Sequence, residues 1–452
     1  MNFRKFKEAN FKLHPQMNVF IGKNGSGKTA ILEAANIILG AYLAAFKTYV
    51  PSKHVANISK YDAHLLPFQS LSPEEDEYEI LTAGGVPQYP CGVACSLYWD
   101  NCNYPIWFQR ILKKPEGRTM FGGSNPMQET VENWEFNISK ADHSDREYIF
   151  PIALYLSSAR LWNESRSKDT RPRGYNRTDA FHKCLDAKHS MELAFEYIQR
   201  LQLIAVEERR MEHFPAYETI LNAINIALRD ELAPGEEVIF STRYSNDIVA
   251  LRTAEGTIVP FTSLSDGYRN VIKIILDIAT RMCILNPYLG GNALRKTPGI
   301  VIIDEIDLSL HPMWQKRIVG ILKELFPKVQ FLCASHSPFI IQSLEDGELF
   351  NLDKIGQISQ DEYSGESIED IAEDFMGVEL PQYSEKKRRM YHTAQQYYQA
   401  LESCHSSEEL NVLQEELTRL EAEYSKNPAY LALIRQKYTM KQLEVNYNET
   451  NP

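Results

Sequence analysis

Residues Gly22-Lys23-Asn24-Gly25-Ser26-Gly27-Lys28-Thr29 complete the pattern Gly-x4-Gly-Lys-Ser/Thr directly after a short apolar run, Val19-Phe20-Ile21. The run reads as a buried strand. From Ala30 to about Phe46 the chain is apolar at nearly every helical position, so strand, glycine loop and helix stand in the order a phosphate-binding loop requires. Asn24, Gly25, Ser26 and Gly27 would curl backbone N–H groups around phosphates, and the helix N-terminus would add its partial positive charge. Lys28 would reach the terminal phosphates and Thr29 would hold magnesium. The plainer alternative is a glycine-rich turn before a core helix, and the flanking pattern argues against it.

Three further segments in the second half point to the same chemistry. Gly299-Ile300-Val301-Ile302-Ile303-Asp304-Glu305 is an apolar strand ending in two acids, which suits a magnesium-holding Asp304 and a Glu305 placed to polarise water. Phe331-Leu332-Cys333-Ala334 is another apolar strand, ending in Ser335-His336-Ser337-Pro338. His336 there either senses a terminal phosphate or is a structural hydrogen-bonder. Leu264-Ser265-Asp266-Gly267-Tyr268 precedes an apolar helix from about Asn270 to Leu285, where Ser265 either meets an anion or simply caps the helix.

Taken in this order, the four segments resemble the ABC-type ATPase head of the RecF, SMC and Rad50 group. The glycine loop corresponds to Walker A, Leu264 to Tyr268 to the signature motif, Ile300 to Glu305 to Walker B, and Ser335 to Pro338 to the switch histidine. Within that group the chain is similar to the ATPase subunits of Septu-type anti-phage systems, the PtuA family, which also occur as retron effectors. The likeness rests on Ser265-Asp266-Gly267-Tyr268-Arg269-Asn270, Leu285-Asn286-Pro287, His311-Pro312-Met313-Trp314-Gln315 and Asn427-Pro428-Ala429-Tyr430.

The resemblance implies an α/β fold: an ABC-type P-loop head whose mixed central sheet carries an antiparallel β portion, with a helical insertion and a C-terminal helical extension. It also implies ATP and Mg2+ as ligands and a head-to-tail homodimer, or a higher oligomer, with composite sites. In such sites Ser265 and Gly267 of one chain close on phosphates held by Gly25, Lys28 and Thr29 of the other. Asp304 would hold magnesium, Glu305 would be the general base, and His336 would report the terminal phosphate. The partner implied is a separate HNH-type nuclease of the PtuB kind. A RecF-like DNA repair clamp is the competing reading, and a transporter motor is disfavoured by the Asp304-to-Pro312 segment. No glutamine stands out as a Q-loop residue, and Arg4 or Phe6 are the candidates for the adenine side.

Lys28 and Asp304 lie 276 positions apart, so something large is inserted between the two strands of a minimal P-loop core. The expected organisation is a first ATPase lobe over 1–158, a helical insertion or arm over 159–235, a second lobe over 236–380 and a helical tail over 381–452. Helices are expected from Met191 to Glu208 and Ala216 to Asp230, and strands at Glu237 to Phe240 and Ile248 to Leu251. The insertion is too short for a long coiled coil. In the tail, Ser406 and Glu409 form a capping box ahead of an apolar stripe, Leu410, Leu413, Leu417, Leu420 and Tyr424. That hairpin either packs on its own head or supplies an assembly surface. No acidic pattern of a fused Toprim nuclease follows Leu352.

With 452 residues, 44% hydrophobic and 24% charged, the composition is that of an ordinary globular protein. No apolar run reaches bilayer length, and a cytoplasmic protein is expected. A net charge of -12 argues against coating nucleic acid through the overall field. Contact with nucleic acid would fall to the partner or to local patches: Arg166, Lys168, Arg171, Arg173 and Arg177, or Lys386-Lys387-Arg388-Arg389. Seven cysteines read as free thiols. Cys91, Cys95 and Cys102 are close in sequence, on a hairpin turning at Asp100-Asn101 with Trp99 and Trp107 on its arms, and packing is favoured over a metal.

Overall fold

The computed structural model describes residues 1–46, 57–66, 85–98, 105–122, 125–140, 148–161, 176–187, 191–207, 215–241, 248–354, 365–378, 381, 384–402 and 407–423. The chain forms two compact units, Met1–Ile368 and Glu369–Pro452. In the first, the order is β1 (Met17–Ile21), α1 (Lys28–Ala44), β2 (Leu65–Leu66), β3 (Val86–Pro87), β4 (Cys91–Leu97), β5 (Ile106–Leu112), β6 (Met120–Gly122), α2 (Asn125–Lys140) and β7 (Ile152–Leu156). There follow α3 (Glu192–Glu207), α4 (Pro215–Leu228), β8 (Glu237–Phe240), β9 (Val249–Arg252), β10 (Ile258–Pro260) and α5 (Asp266–Leu285). The unit closes with β11 (Gly299–Ile303), α6 (Pro312–Leu325), β12 (Val329–Ala334), α7 (Pro338–Gln342) and β13 (Leu349–Asn351).

The central sheet has the order β13-β1-β12-β11-β7, and every neighbouring pair in it is parallel. A parallel sheet is covered on both faces, so its strands read as unbroken apolar runs. β1 and β7 are buried at all five positions, and Val301, Ile302 and Ile303 of β11 are 0% exposed. Antiparallel pairing among the described strands lies in separate sheets, β4-β5-β6, β8-β9-β10 and β2-β3. The antiparallel portion expected from the sequence therefore stands beside the central sheet rather than within it.

The helix after the signature segment, α5, is the spine of this unit. All sixteen residues from Asn270 to Leu285 are buried, including Lys273, Asp277 and Arg281. Asp277 and Arg281 pair one turn apart at 2.9 Å, and Arg281 also donates to the Ala180 and His182 carbonyls. These bonds answer the desolvation that burying a charge would otherwise cost. Helices α3 and α4 of the expected insertion lie against α5, with α4 buried through Ile220, Ile224 and Leu228.

The antiparallel arms expected around Cys91 are β4 and β5, paired from Cys91 with Leu112 to Leu97 with Ile106. Their connecting turn, with Trp99 and Cys102, lies outside the described residues. Cys91 is buried, and its thiol contacts the Asp62 carbonyl. Arg177, counted above in a basic cluster, is used inside the fold. Its guanidinium stacks 3.8 Å from the Phe150 ring centre and donates to the Tyr148 and Leu285 carbonyls. That placement removes it from the candidate nucleic-acid contacts, while Arg166, Lys168, Arg171 and Arg173 lie outside the described residues.

In the second unit, α8 (Glu385–Glu402) and α9 (Ser407–Glu423) contact one another as a helical hairpin. Of the expected stripe, Leu417 and Leu420 are buried and Leu413 is half-buried. Arg389 pairs with Glu416 at 2.7 Å across the hairpin. Ser406, Tyr424 and Asn427 onward lie outside the described residues.

Gly299 starts β11 at φ 149°, and a Cβ placed there would fall 2.1 Å from the Ile152 carbonyl oxygen of β7. Gly299→Ala should therefore push apart the β11–β7 pair and lower the unfolding free energy by about 2 kcal/mol, as read by denaturant titration.

Candidate nucleotide-binding site

Because the five central strands are parallel, their carboxyl ends open on one edge, where α/β sheets place ligands. The glycine loop follows β1, Asp304 and Glu305 follow β11, Ser335 and His336 follow β12, Ser157 to Arg160 follow β7, and Asp353 follows β13. Segments distant in sequence from the loop thus share its edge of the sheet.

The loop turns through glycines in the left-handed region, Gly22 at φ 144°, Gly25 at 78° and Gly27 at 106°. A Cβ on Gly25 would meet nothing within 4 Å, so open space lies on that side of the loop. A Cβ on Gly27 would lie 2.5 Å from the Phe6 ring, which covers the base of the turn. The Ser26 hydroxyl is buried and without a hydrogen-bond partner. Lys28 donates to the Gly22 and Lys23 carbonyls at 2.7 and 3.2 Å. Burial lowers its pKa, and Asp353, Asp304, Asp307 and Glu305 oppose that shift in decreasing order. The lysine therefore lies within electrostatic reach of the acids after β11 and β13. Asn24, Gly25 and Thr29 are exposed, so a phosphate or a metal can reach them.

Asp304 is 6% exposed. Burial raises its pKa, the neighbouring Glu305 adds to the rise, and Arg160 and Lys28 pull it down. A buried carboxyl held this way suits a cation, which would relieve both causes of the rise. Glu305 is half-buried and sits in the left-handed region at φ 49°, a conformation costing on the order of 1–3 kcal/mol for a side chain of this kind. Ser309 also has a positive φ, 58°, so the turn leaving Walker B is strained at both ends.

His336 is exposed, directly after β12. Its neighbours are fixed: the Ser335 hydroxyl donates to Asp307 at 2.7 Å, the Ser337 N–H donates to Ser335 Oγ at 3.0 Å, and Ser337 Oγ contacts Gln315 Oε1 at 2.5 Å. The switch segment is thereby tied to the turn after Walker B. Ser265 is the N-cap of α5, its hydroxyl accepting from the Tyr268 N–H at 3.5 Å, and it is exposed. A Cβ on Gly267 would lie 3.3 Å from the Ser309 carbonyl, so the signature turn rests on the segment after Walker B. Lys28, Asp304, Glu305 and Asp307 thus come together within one chain, while Ser265 presents its hydroxyl to solvent.

Arg4, a candidate for the adenine side, is instead held by Glu33 and by Asp62 at 2.8 Å. Two groups escaped the reading of the sequence. Asp353 accepts from the Lys23 N–H at 2.7 Å and so fixes the entrance of the glycine loop. Arg160 is buried and reaches the backbone of both Walker B acids. The residues after β7 are Ser157, Ser158, Ala159 and Arg160, with no glutamine among them.

A parallel sheet with a glycine loop on its first strand, and paired acids on β11, one strand removed across β12, defines a P-loop nucleotide-binding head of ABC type. The chain belongs to the AAA domain family, which it matches over residues 1–230; a second AAA-domain family, described for AbiEii toxins of type IV toxin–antitoxin systems, matches residues 133–342. Among similar proteins, "Septu protein PtuA" of Bacillus thuringiensis is 31% identical over 140 residues, covering 29% of this chain and 35% of that protein. "Retron Vc95 probable ATPase" of Vibrio cholerae serotype O1 biovar El Tor is 43% identical over 94 residues, covering 21% and 18%. The chain thus spans between a sixth and about a third of the length of these relatives. An SMC head bound to the C-winged helix domain of ScpA aligns over 77% of this chain and 88% of its own, with 16% identity and a TM-score of 0.41. No helix among the described residues is long and apolar enough to cross a membrane.

Gly27→Ala would meet both the Phe6 ring and a left-handed φ. Titration with a fluorescent ATP analogue should show affinity weakened by roughly tenfold or more, equal to at least about 1.4 kcal/mol.

Proposed function

We propose that this chain binds and hydrolyses ATP as the regulatory subunit of a two-component anti-phage defence complex, and that nucleotide occupancy controls a separate HNH-type nuclease. The observation that carries the nucleotide part is that the glycine loop after β1 and the acids Asp304, Glu305 and Asp307 after β11 stand at the carboxyl edge of one parallel sheet. The defence part is supported by the similarity to Septu PtuA and to a retron ATPase over shared stretches.

The open side of Gly25 and the orphaned Ser26 hydroxyl fit a phosphate-bearing ligand. Gly25, Gly27 and the N-terminus of α1 would bind the phosphates through backbone N–H groups, and Lys28 would exchange the two loop carbonyls for phosphate oxygens. Thr29 and Asp304 would hold magnesium, which neutralises phosphate charge when bound. Glu305 takes the proton of the attacking water, and His336, free at the end of β12, faces the terminal phosphate. Ser265 is exposed at the head of α5, so its hydroxyl and helix N-terminus are offered to the nucleotide of a second copy, giving a head-to-tail dimer with two composite sites.

Glu305→Gln should leave ATP affinity within about twofold and reduce turnover by roughly a hundredfold or more, as measured by phosphate release. Unchanged turnover would remove Glu305 as the base. Deleting residues 381–452 should abolish assembly seen by sedimentation while nucleotide binding persists. Loss of nucleotide binding with assembly intact would assign the tail to the head instead.

A repair clamp is the second reading, favoured by 35% identity over 65 residues to the "DNA replication and repair protein RecF" of Alkaliphilus oremlandii (strain OhILAs). A tagged chain recovered from its host with a small HNH protein in fixed ratio supports the defence reading. Recovery with DNA, in an ATP-dependent and salt-sensitive way, supports the clamp.

A further inference from the structure

Arg160 stands just after β7, in the short turn Ser158–Leu161, and is 6% exposed. Four of its five N–H groups have named acceptors. Nη1 donates to the Ser157 carbonyl at 3.1 Å and the Asp304 carbonyl at 2.5 Å, Nη2 to the Glu305 carbonyl at 2.7 Å, and Nε to Asn270 Oδ1 at 2.9 Å. Burial pushes the guanidinium pKa down to about 10, still far above neutrality, so it remains a charged donor. Asn270, itself 0% exposed and on the second turn of α5, donates its amide to the Leu308 carbonyl at 2.7 Å. One arginine and one asparagine therefore bridge the β7 end, the helix headed by Ser265, and both sides of the strained turn from Glu305 to Ser309.

The Glu305 carboxylate has no hydrogen bond or ion pair of its own among the described residues, so the point from which it reaches is set by its backbone. That backbone is held in the left-handed region, where strain persists only if the surroundings over-determine it. Arg160 supplies that constraint on the carbonyl side. A planar guanidinium does this with two nitrogens in fixed geometry, which an ammonium cannot copy.

We propose that Arg160 and Asn270 form a positioning clamp that aims Glu305 and links its aim to the signature turn, so that contact of Ser265 with nucleotide and alignment of the base are one event. This rests on the reading of Glu305 as general base. The clamp acts chiefly on the transition state, because among the described residues neither side chain has a hydrogen bond to the glycine loop. A misaligned base costs turnover without costing affinity.

The test uses the full chain and three variants, Arg160→Lys, Asn270→Asp and the double variant. Asn270→Asp keeps an acceptor for Arg160, with which its carboxylate pairs, and turns the donor to Leu308 into an acceptor, so it breaks the link to the Walker B turn while the Arg160 contact stays. Each single variant should lower kcat by roughly tenfold to a hundredfold at a temperature where it is folded, with ATP affinity within about threefold of the parent. The double variant should be no slower than the slower single one, since both break one unit. A folded Asn270→Asp with parental kcat, or rate losses that multiply in the double variant, would overturn the clamp. Glu305→Gln run alongside separates the two failures: full turnover in that variant removes the base itself, whereas its loss with normal turnover in Asn270→Asp removes only the clamp.

Discussion

Parallel pairing of β13, β1, β12, β11 and β7 is the constraint on which the rest of the first unit depends. Parallel strands point the same way, so every loop at a carboxyl end emerges on one edge, and helices must cover both faces to keep the sheet dry. Three consequences follow from that single arrangement. The glycine loop faces the acids of β11, the switch segment of β12 stands between them in the sheet order, and Asp353 from the edge strand reaches the start of the loop. Registers such as Val19 with Cys333 and Ile303 with Cys333 fix these ends relative to one another.

The same arrangement explains where strain and burial gather. The turn after β11 carries two non-glycine residues at positive φ, and the strain is held by Arg160, Asn270 and the bond from Ser335 to Asp307. Asn270 belongs to α5, which is buried through its whole later length and cannot shift without disturbing the core. A rigid helix whose exposed N-terminus carries Ser265, and whose second turn is bonded to the Walker B turn, would in the proposed dimer link the contact at Ser265 to the position of Glu305.

How much of this was legible in the sequence depended on whether the signal was local. The glycine loop, the strand ending in Asp304 and Glu305, and the capped start of α5 are contiguous patterns, and the structure places each where its pattern put it. The expected helices and strands of the middle region also appear, displaced by a residue or two at their ends. Arg160 and Asp353 were not legible, because their partners lie 144 or 145 and 330 residues away and neither sits in a motif of its own. Arg177 was misread for a related reason. A basic residue in a polar stretch looks solvated until Phe150 and Tyr288 are seen around it. Arg4, offered for the adenine side, is held in ion pairs by Glu33 and Asp62, partners that no local pattern announced.

The central claim is that the nucleotide lies between two copies of this chain, held by the loop of one and capped by the signature turn of the other. A structure of the full chain with a non-hydrolysable ATP analogue and magnesium tests it most directly. The account predicts phosphates enclosed by Gly25, Lys28 and Thr29 of one copy with Ser265 and Gly267 of the next against them. A nucleotide bound in the loop of a single copy, with Ser265 still facing solvent, would contradict it.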